Sequence, residues 1–150
     1  MLDLAVTNLT SQRVYRGRVL AACRRILGEL GRRATKIHSL SVVVVTTPRM
    51  KQLNWQYRKK RRSTDVLSFA LPADPSQSSG IDGEIILCWD EAQRLAKKQR
   101  QSVTNALIYL LIHGILHLAG FNHEGVSRKQ AQRMMSRQDV IAKQLHVEFE

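Results

Sequence analysis

Residues 102–123 read SVTNALIYLLIHGILHLAGFNH, and 106–121 is the most apolar part of the 150-residue chain. Because apolar residues occupy almost every face of a helix drawn over 102–119, the segment predicts a central helix packed on most sides. Gly120 is expected to end that helix, since glycine accepts a left-handed backbone at little cost. The apolar part is too short to cross a bilayer and carries two histidines, so it indicates the core of a soluble domain.

Strands and helices alternate around this central helix, with no internal repeat and no domain linker between them. A chain of this length and order predicts one α+β domain over 1–150, with a mixed four-stranded sheet and about five helices. The predicted strands are 3–7, 40–45, 66–71 and 84–89, and the predicted helices are one ending at Gly31, one from Thr47 to Arg58, one over 91–100, the central helix and one from Ser127 to Leu145.

Local signals refine several of these elements. The composition of 72–83, PADPSQSSGIDG, predicts a mobile surface loop. Three residues are each expected to cap the helix that follows them: Thr47, which precedes a proline, Asp90 and Ser127. Helical spacing also predicts that Tyr57 and Met135 face inward.

The charge balance is unusual for a globular domain of ordinary apolar content. Lys and Arg number 24 against 12 Asp and Glu, which gives a net charge of +12. Such an excess indicates an acidic polymer as partner, with nucleic acid ahead of a membrane surface. The two cysteines, Cys23 and Cys88, form no CxxC pair and exclude a disulfide scaffold. Together with an N-terminal segment that lacks leader features, they predict a reduced, cytoplasmic location.

Three of the five histidines lie within eleven residues. His113 and His117 are four apart and project from one face of the central helix, and a turn at Gly120 can carry His123 back over them. Three neutral imidazoles leave one position of a zinc tetrahedron open, which is the catalytic arrangement. Any single histidine is explained as well by a satisfied core position. All three at this spacing predict one zinc per chain, with another divalent metal as an alternative.

The same spacing occurs in the zinc-peptidase pattern HExxHxxGxxH, but Gly114 stands where that pattern has its glutamate. This glutamate is the general base of the peptidases. The sequence therefore disfavours a peptidase and leaves the metal prediction in place.

Five basic residues follow one another at 58–62. An isolated run of this kind is most simply a solvated turn, whereas the net charge of the chain favours a surface that binds RNA phosphates. Arg58 differs from the others because it ends a helix with a buried face, so its guanidinium could point into a cleft and stabilise charge on a phosphate. The expected RNA-binding residues are Lys59, Lys60, Arg61 and Arg62.

The histidine block HGILHLAGFNH at 113–123 resembles the YbeY family of bacterial endoribonucleases. Two further blocks support the resemblance in order and approximate spacing. They are Leu53-Asn54, Tyr57-Arg58 and Thr64-Asp65-Val66-Leu67-Ser68-Phe69 in the first, and Gly83-Glu84-Ile85-Ile86-Leu87-Cys88 in the second.

This resemblance implies a hydrolase, a metal-dependent endoribonuclease specific for single strands. It implies a role in ribosomal RNA maturation at the 3′ end of the small-subunit RNA and in ribosome quality control. The expected partners are single-stranded RNA, ribosomal RNA and the small subunit, with no membrane. It also implies zinc on the three histidines and places the family's important arginine at Arg58.

The chain departs from the family pattern at three positions. Asn122 occupies the position before the last histidine, where the family usually has an aspartate. An asparagine cannot act as a carboxylate base. Ser63 replaces a proline, and Glu84 replaces an aspartate. Asp65, Glu84 and Asn122 are the candidates to position water or a metal ligand, although Asp65 and Glu84 are more simply explained as caps or as partners of the basic run.

Two other classes of function remain open from the residues alone. In the first, the protein is a non-catalytic ribosome-assembly factor that docks on RNA, and zinc only ties the turn to the helix. In the second, it is the disfavoured metallopeptidase. Cleavage of single-stranded RNA that is abolished by chelation separates the endoribonuclease from the assembly factor.

Overall fold

A four-stranded sheet organises the computed structural model, which describes residues 2–72, 80–121 and 125–149. The strands are β1 (Asp3–Asn8), β2 (Ile37–Val45), β3 (Val66–Pro72) and β4 (Ile81–Cys88), in the order β1-β2-β4-β3. β2 pairs in parallel with β1 and β4, and β3 pairs antiparallel to β4 as an edge strand. The predicted mixed sheet is confirmed.

Five α-helices surround the sheet within the described residues. They are α1 (Arg16–Leu30), α2 (Thr47–Arg58), α3 (Trp89–Gln99), α4 (Val103–Leu118) and α5 (Arg128–Gln144), with a short 3-10 helix at Gly31–Ala34 after α1. The predicted α+β class is therefore also confirmed.

Two apolar clusters fill the opposite faces of the sheet. The larger cluster joins α1, α3, α4 and α5 to one face and includes Cys23, whose burial raises its thiol pKa to about 12. The smaller cluster packs α2 on the other face through Met50 and Leu53. The side chains of β4 alternate between the two clusters, as a pleated strand requires, with Ile85 in the larger and Ile86 in the smaller.

Helix α4 is the predicted central helix. Leu111, Ile112, Ile115 and Leu116 are fully buried, and the helix contacts α1, α3, α5, β3 and β4. Among the described residues, no single helix is both long and apolar enough to cross a membrane, and α3 with α4 passes that test only as a pair bent by 113°.

The caps predicted at Thr47 and Asp90 are wrong by one and by two residues. Thr46 is the N-cap of α2, and Cys88 is the N-cap of α3, which begins at Trp89. The carboxylate of Asp90 instead accepts hydrogen bonds from the backbone N–H and the hydroxyl of Thr47, at 2.8 and 3.0 Å. Asp90 therefore stabilises the N-terminus of a different helix, which its own sequence neighbours cannot reveal.

The boundaries of the predicted loop and strand also differ. Ile81–Gly83 belong to β4 rather than to a loop, and residues 73–79 of that loop lie outside the described residues. The strand conformation at Gly83 brings α4 close, since a Cβ there would lie 2.7 Å from the Leu118 side chain.

Two residues predicted to face inward are exposed instead. Tyr57 is 56% exposed, and the centroid of its ring lies 4.8 Å from that of Phe69. Met135 is 46% exposed. Met135 lies at the border of the buried face of α5, and Tyr57 lies on the buried face of α2 but in its last turn. Helical spacing does not decide whether a neighbouring element covers such side chains.

Candidate metal site and nucleic-acid interface

His113 and His117 lie one turn apart on α4, as predicted; His113 is half-buried and His117 is exposed. The helix ends as the glycine signal indicates. Gly120 has a φ of 100°, and its N–H donates to the His117 carbonyl at 3.1 Å. His123 and Asn122 lie outside the described residues. Within 2–72, 80–121 and 125–149, no three His, Cys, Asp or Glu side chains converge as a metal site would require. The three-histidine site stays a prediction.

A buried amide on α5 fixes the ring of His113. Gln138 is 3% exposed, and its Oε1 lies 2.9 Å from Nδ1 of His113. An amide oxygen can only accept a hydrogen bond, so Nδ1 is the donor in this pair, and in a neutral ring the lone pair is then on Nε2. Metal-binding histidines are held in this way, with one ring nitrogen bound to a protein oxygen and the other free for the metal. The donor chemistry of His113 therefore fits a metal ligand.

The half-buried hydroxyl of Tyr109 lies one turn before His113 on α4. Burial is the largest cause of its raised pKa, and the negative charge of Asp139 acts in the same direction. Gln138 lowers this pKa, and the charge of Asp65 adds a smaller upward contribution. Burial and the two carboxylates together outweigh Gln138.

Gly114 faces the sheet rather than the histidine side. A Cβ at this position would lie 3.0 Å from Cγ2 of Ile85 and 3.1 Å from Oγ of Ser68, whose hydroxyl donates to the Gly114 carbonyl. A glutamate here would enter the packed layer between α4 and the sheet. The peptidase pattern therefore fails for a steric reason as well as a chemical one.

The basic run leaves α2 as an exposed turn organised by Asn54. The left-handed Lys59, with a φ of 57°, ends the helix. The backbone oxygen of Asn54, which is 1% exposed, accepts from the N–H of Lys60 at 3.4 Å, and its side-chain amide donates to the Arg62 carbonyl at 2.8 Å. Sequence reasoning missed Asn54, although an Asn on the buried face of a helix is a usable signal for a structural hydrogen bond.

The indole of Trp55 supports two cations of this turn. The Lys59 ammonium lies 5.7 Å and the Arg61 guanidinium 4.9 Å from the ring centroid. Arg58 is the last residue of α2, as predicted, and it is exposed. The expectation that its guanidinium points into a cleft stays a prediction.

The two predicted acids occupy different places. Asp65 is exposed just before β3, where its backbone carbonyl accepts from the N–H of Cys88 at 2.9 Å. Its negative charge is a minor cause of the raised pKa of the Tyr109 hydroxyl on α4. Glu84 pairs with Ser41 and Phe69 in the sheet, and strand alternation turns it toward α2. The sheet thus separates Glu84 from the histidines, which argues against its predicted role beside the metal.

Similar proteins identify the family to which these features belong. A model of the family described as endoribonuclease YbeY matches residues 6–146. A relative from Chromobacterium violaceum, named endoribonuclease YbeY, is 36% identical over 126 residues, which cover 83% of this chain and 74% of the relative. One of the same name from Phytoplasma australiense is 31% identical and covers 83% and 87%.

The fold has a solved counterpart. The solution structure of a protein from Thermotoga maritima superimposes with a TM-score of 0.59 at 22% sequence identity, over 97% of this chain and 92% of the other. That likeness concerns the fold alone. The family match, in contrast, spans the histidine helix, the basic turn, part of β1 and the other three strands, and it shows that the chain belongs to the endoribonuclease YbeY family.

Proposed function

We propose that this protein is a metal-dependent endoribonuclease that hydrolyses phosphodiesters of single-stranded RNA, and that it acts in maturation of the small-subunit ribosomal RNA 3′ end and in ribosome quality control. The observation that carries the proposal is the bond between Gln138 and His113, because it prepares Nε2 of a half-buried histidine as a metal ligand. Membership of the endoribonuclease YbeY family supports the reaction class.

In this proposal His113, His117 and His123 hold one zinc per chain, and another divalent metal could serve. Bound there, the metal would supply a Lewis acid for a phosphate oxygen and would lower the pKa of water. Gln138 keeps the His113 ring in one orientation and one tautomer. His123, which follows Gly120 in the sequence, would complete the set of three ligands.

The basic turn supplies the second half of the site. Arg58 stabilises the negative charge that develops on the phosphate in the transition state, because a guanidinium offers a planar pair of donors to two phosphate oxygens. Lys59, Lys60, Arg61 and Arg62 hold the RNA backbone through charge. Aromatic residues are only 5% of the chain, so recognition rests on phosphates and shape more than on stacking of bases.

The biological setting follows from the same substrate. Ribosomal RNA in the small subunit is the proposed partner, the cytoplasm is the proposed compartment, and no membrane is involved. A basic domain with net charge +12 is suited to bind an RNA polyanion.

The test is cleavage of a labelled single-stranded RNA and of its duplex by the purified full-length protein. We expect internal cleavage of the single strand, loss of cleavage on chelation and recovery on adding zinc. Binding of the RNA without cleavage in any divalent metal would contradict the proposal and favour the non-catalytic assembly factor. Cleavage that persists after chelation, with no metal remaining in the protein, would remove the metal from the reaction.

A further inference from the structure

A second basic surface lies away from the 58–62 turn, in a groove of about 610 Å³ between the 3-10 helix and α5. The half-buried ring of Phe121, one residue beyond Gly120, forms one wall. No Asp or Glu of the described residues lines the groove. Its cationic lining residues are Arg32, Arg33, Lys129, Arg133 and Arg137.

Two of these cations are held in place. Nη2 of Arg137 donates to the backbone carbonyl of Glu29 at 2.6 Å, which ties α5 to the end of α1. The guanidinium of Arg33 lies over the Phe121 ring, 4.5 Å from its centroid. Side chains already ordered in this way lose less conformational entropy when they bind an anion.

The other three cations, Arg32, Lys129 and Arg133, are exposed, and none of the five forms an ion pair with a carboxylate of the described residues. Like charges gathered in a concave surface repel one another and create a positive potential that attracts an anion. A polyanion in the groove would relieve that repulsion. The positive charge of these five residues, which no described carboxylate pairs with, therefore indicates an anionic partner.

The lining favours phosphates of a nucleic acid over other anionic partners. Four of the five cations are arginines, whose planar donors match two phosphate oxygens at once. The groove also begins at Phe121, immediately after the turn that ends the histidine helix. The groove thus includes a residue only four positions after His117 in the chain.

We propose that this groove, lined by the 3-10 helix, Phe121 and α5, binds phosphates of the same single-stranded RNA that the histidine helix is proposed to cleave. It forms a contact region independent of the 58–62 turn. The inference rests on the proposed function, since it names where a further part of that substrate lies.

The test compares two triple variants with equal loss of charge. The groove variant carries Arg32→Gln, Lys129→Gln and Arg133→Gln. The control carries Arg13→Gln, Arg16→Gln and Arg25→Gln, which are exposed and do not line the groove. Affinity for a fluorescent single-stranded RNA is measured against salt concentration, and thermal melting confirms that each variant is folded.

Each phosphate contact on a single strand contributes about 0.7 to the slope of log affinity against log salt. We therefore expect the groove variant to flatten the slope by about 2, and the control variant to change it much less. Photocrosslinking with thiouridine-substituted RNA should recover a peptide that contains Phe121.

Equal slopes for the groove and control variants would overturn the inference, whereas the proposed function would stand if the wild type still bound and cleaved the RNA. If the wild type bound no single-stranded RNA, the proposed function itself would fail. The partner would be misassigned if the groove variant bound RNA normally but lost binding to vesicles of anionic phospholipid.

Discussion

Helix α4 and the 58–62 turn carry the two halves of the proposed chemistry, and they are built in opposite ways. α4 is packed by three other helices and two strands, and its histidine ring is fixed by a buried amide. The turn is exposed and is organised chiefly by one buried residue, Asn54. Metal affinity should therefore depend on α4 and α5, whereas RNA affinity and the stabilisation of phosphate charge should depend on the turn.

The largest expected effect tests the α4 half. His117→Ala removes a proposed ligand from an exposed position, where little packing is lost, so the protein should remain folded. Zinc affinity should fall by more than about 10³-fold, since loss of only the hydrogen-bond partner of a ligand already lowers metal affinity by about 10–100-fold. Metal analysis after dialysis and chelator competition measure the loss. Retention of one zinc with wild-type affinity would show that His117 is not a ligand.

Arg58→Lys tests whether the turn does more than bind. The substitution keeps the charge, but an ammonium cannot reproduce the planar pair of donors. Turnover should fall by about 10²–10³-fold, as for loss of one preorganised stabiliser of the transition state. Single-turnover cleavage measures the rate, with zinc content and RNA affinity determined on the same preparation.

Zinc content should be unchanged in this variant, and RNA affinity should fall much less than the rate because other cations remain. Equal cleavage rates in wild type and variant would refute the catalytic role of Arg58. A parallel fall in rate and affinity would make it part of the docking surface.

The rest of the turn should act on RNA binding alone. Replacing Lys59, Lys60, Arg61 and Arg62 by glutamine should flatten the salt slope by about 3 and weaken binding on the order of 100-fold near physiological salt. Zinc affinity is the control and should not change, because the turn lies apart from α5 and its amide. A slope equal to that of wild type would mean that these residues face away from the RNA.

The smallest expected effect separates orientation from packing in the α4 half. Gln138→Leu preserves bulk and removes the acceptor for Nδ1 of His113, so zinc affinity should fall by about 10–100-fold. Gln138→Glu keeps an acceptor oxygen and should retain more of the affinity. Chelator competition measures both variants, and thermal melting checks the fold. If the leucine variant bound zinc as tightly as wild type, Gln138 would be a packing residue only.

Within the chain itself, local pattern determined the elements and the spacing of their chemistry. The apolar segment predicted α4, and the apolar run 40–45 predicted most of β2. An element that is buried on most sides has apolar residues at nearly every position, so its sequence identifies it. Ser127 was also predicted as a cap, and the structure shows it in a capping box with Gln130. These features depend on residues close in sequence, so sequence alone can specify them.

Tertiary structure decided which distant residues meet. Gln138 reaches His113 across 25 residues, and Asp90 reaches Thr47 across 43. Strand alternation turned Glu84 away from α4. Helical and strand periods say which residues share a face, but the partner of that face depends on how elements pack and on strand register. For that reason the sequence predicted the metal-ligating residue types, whereas the amide behind His113 and the second basic groove became visible only in the folded chain.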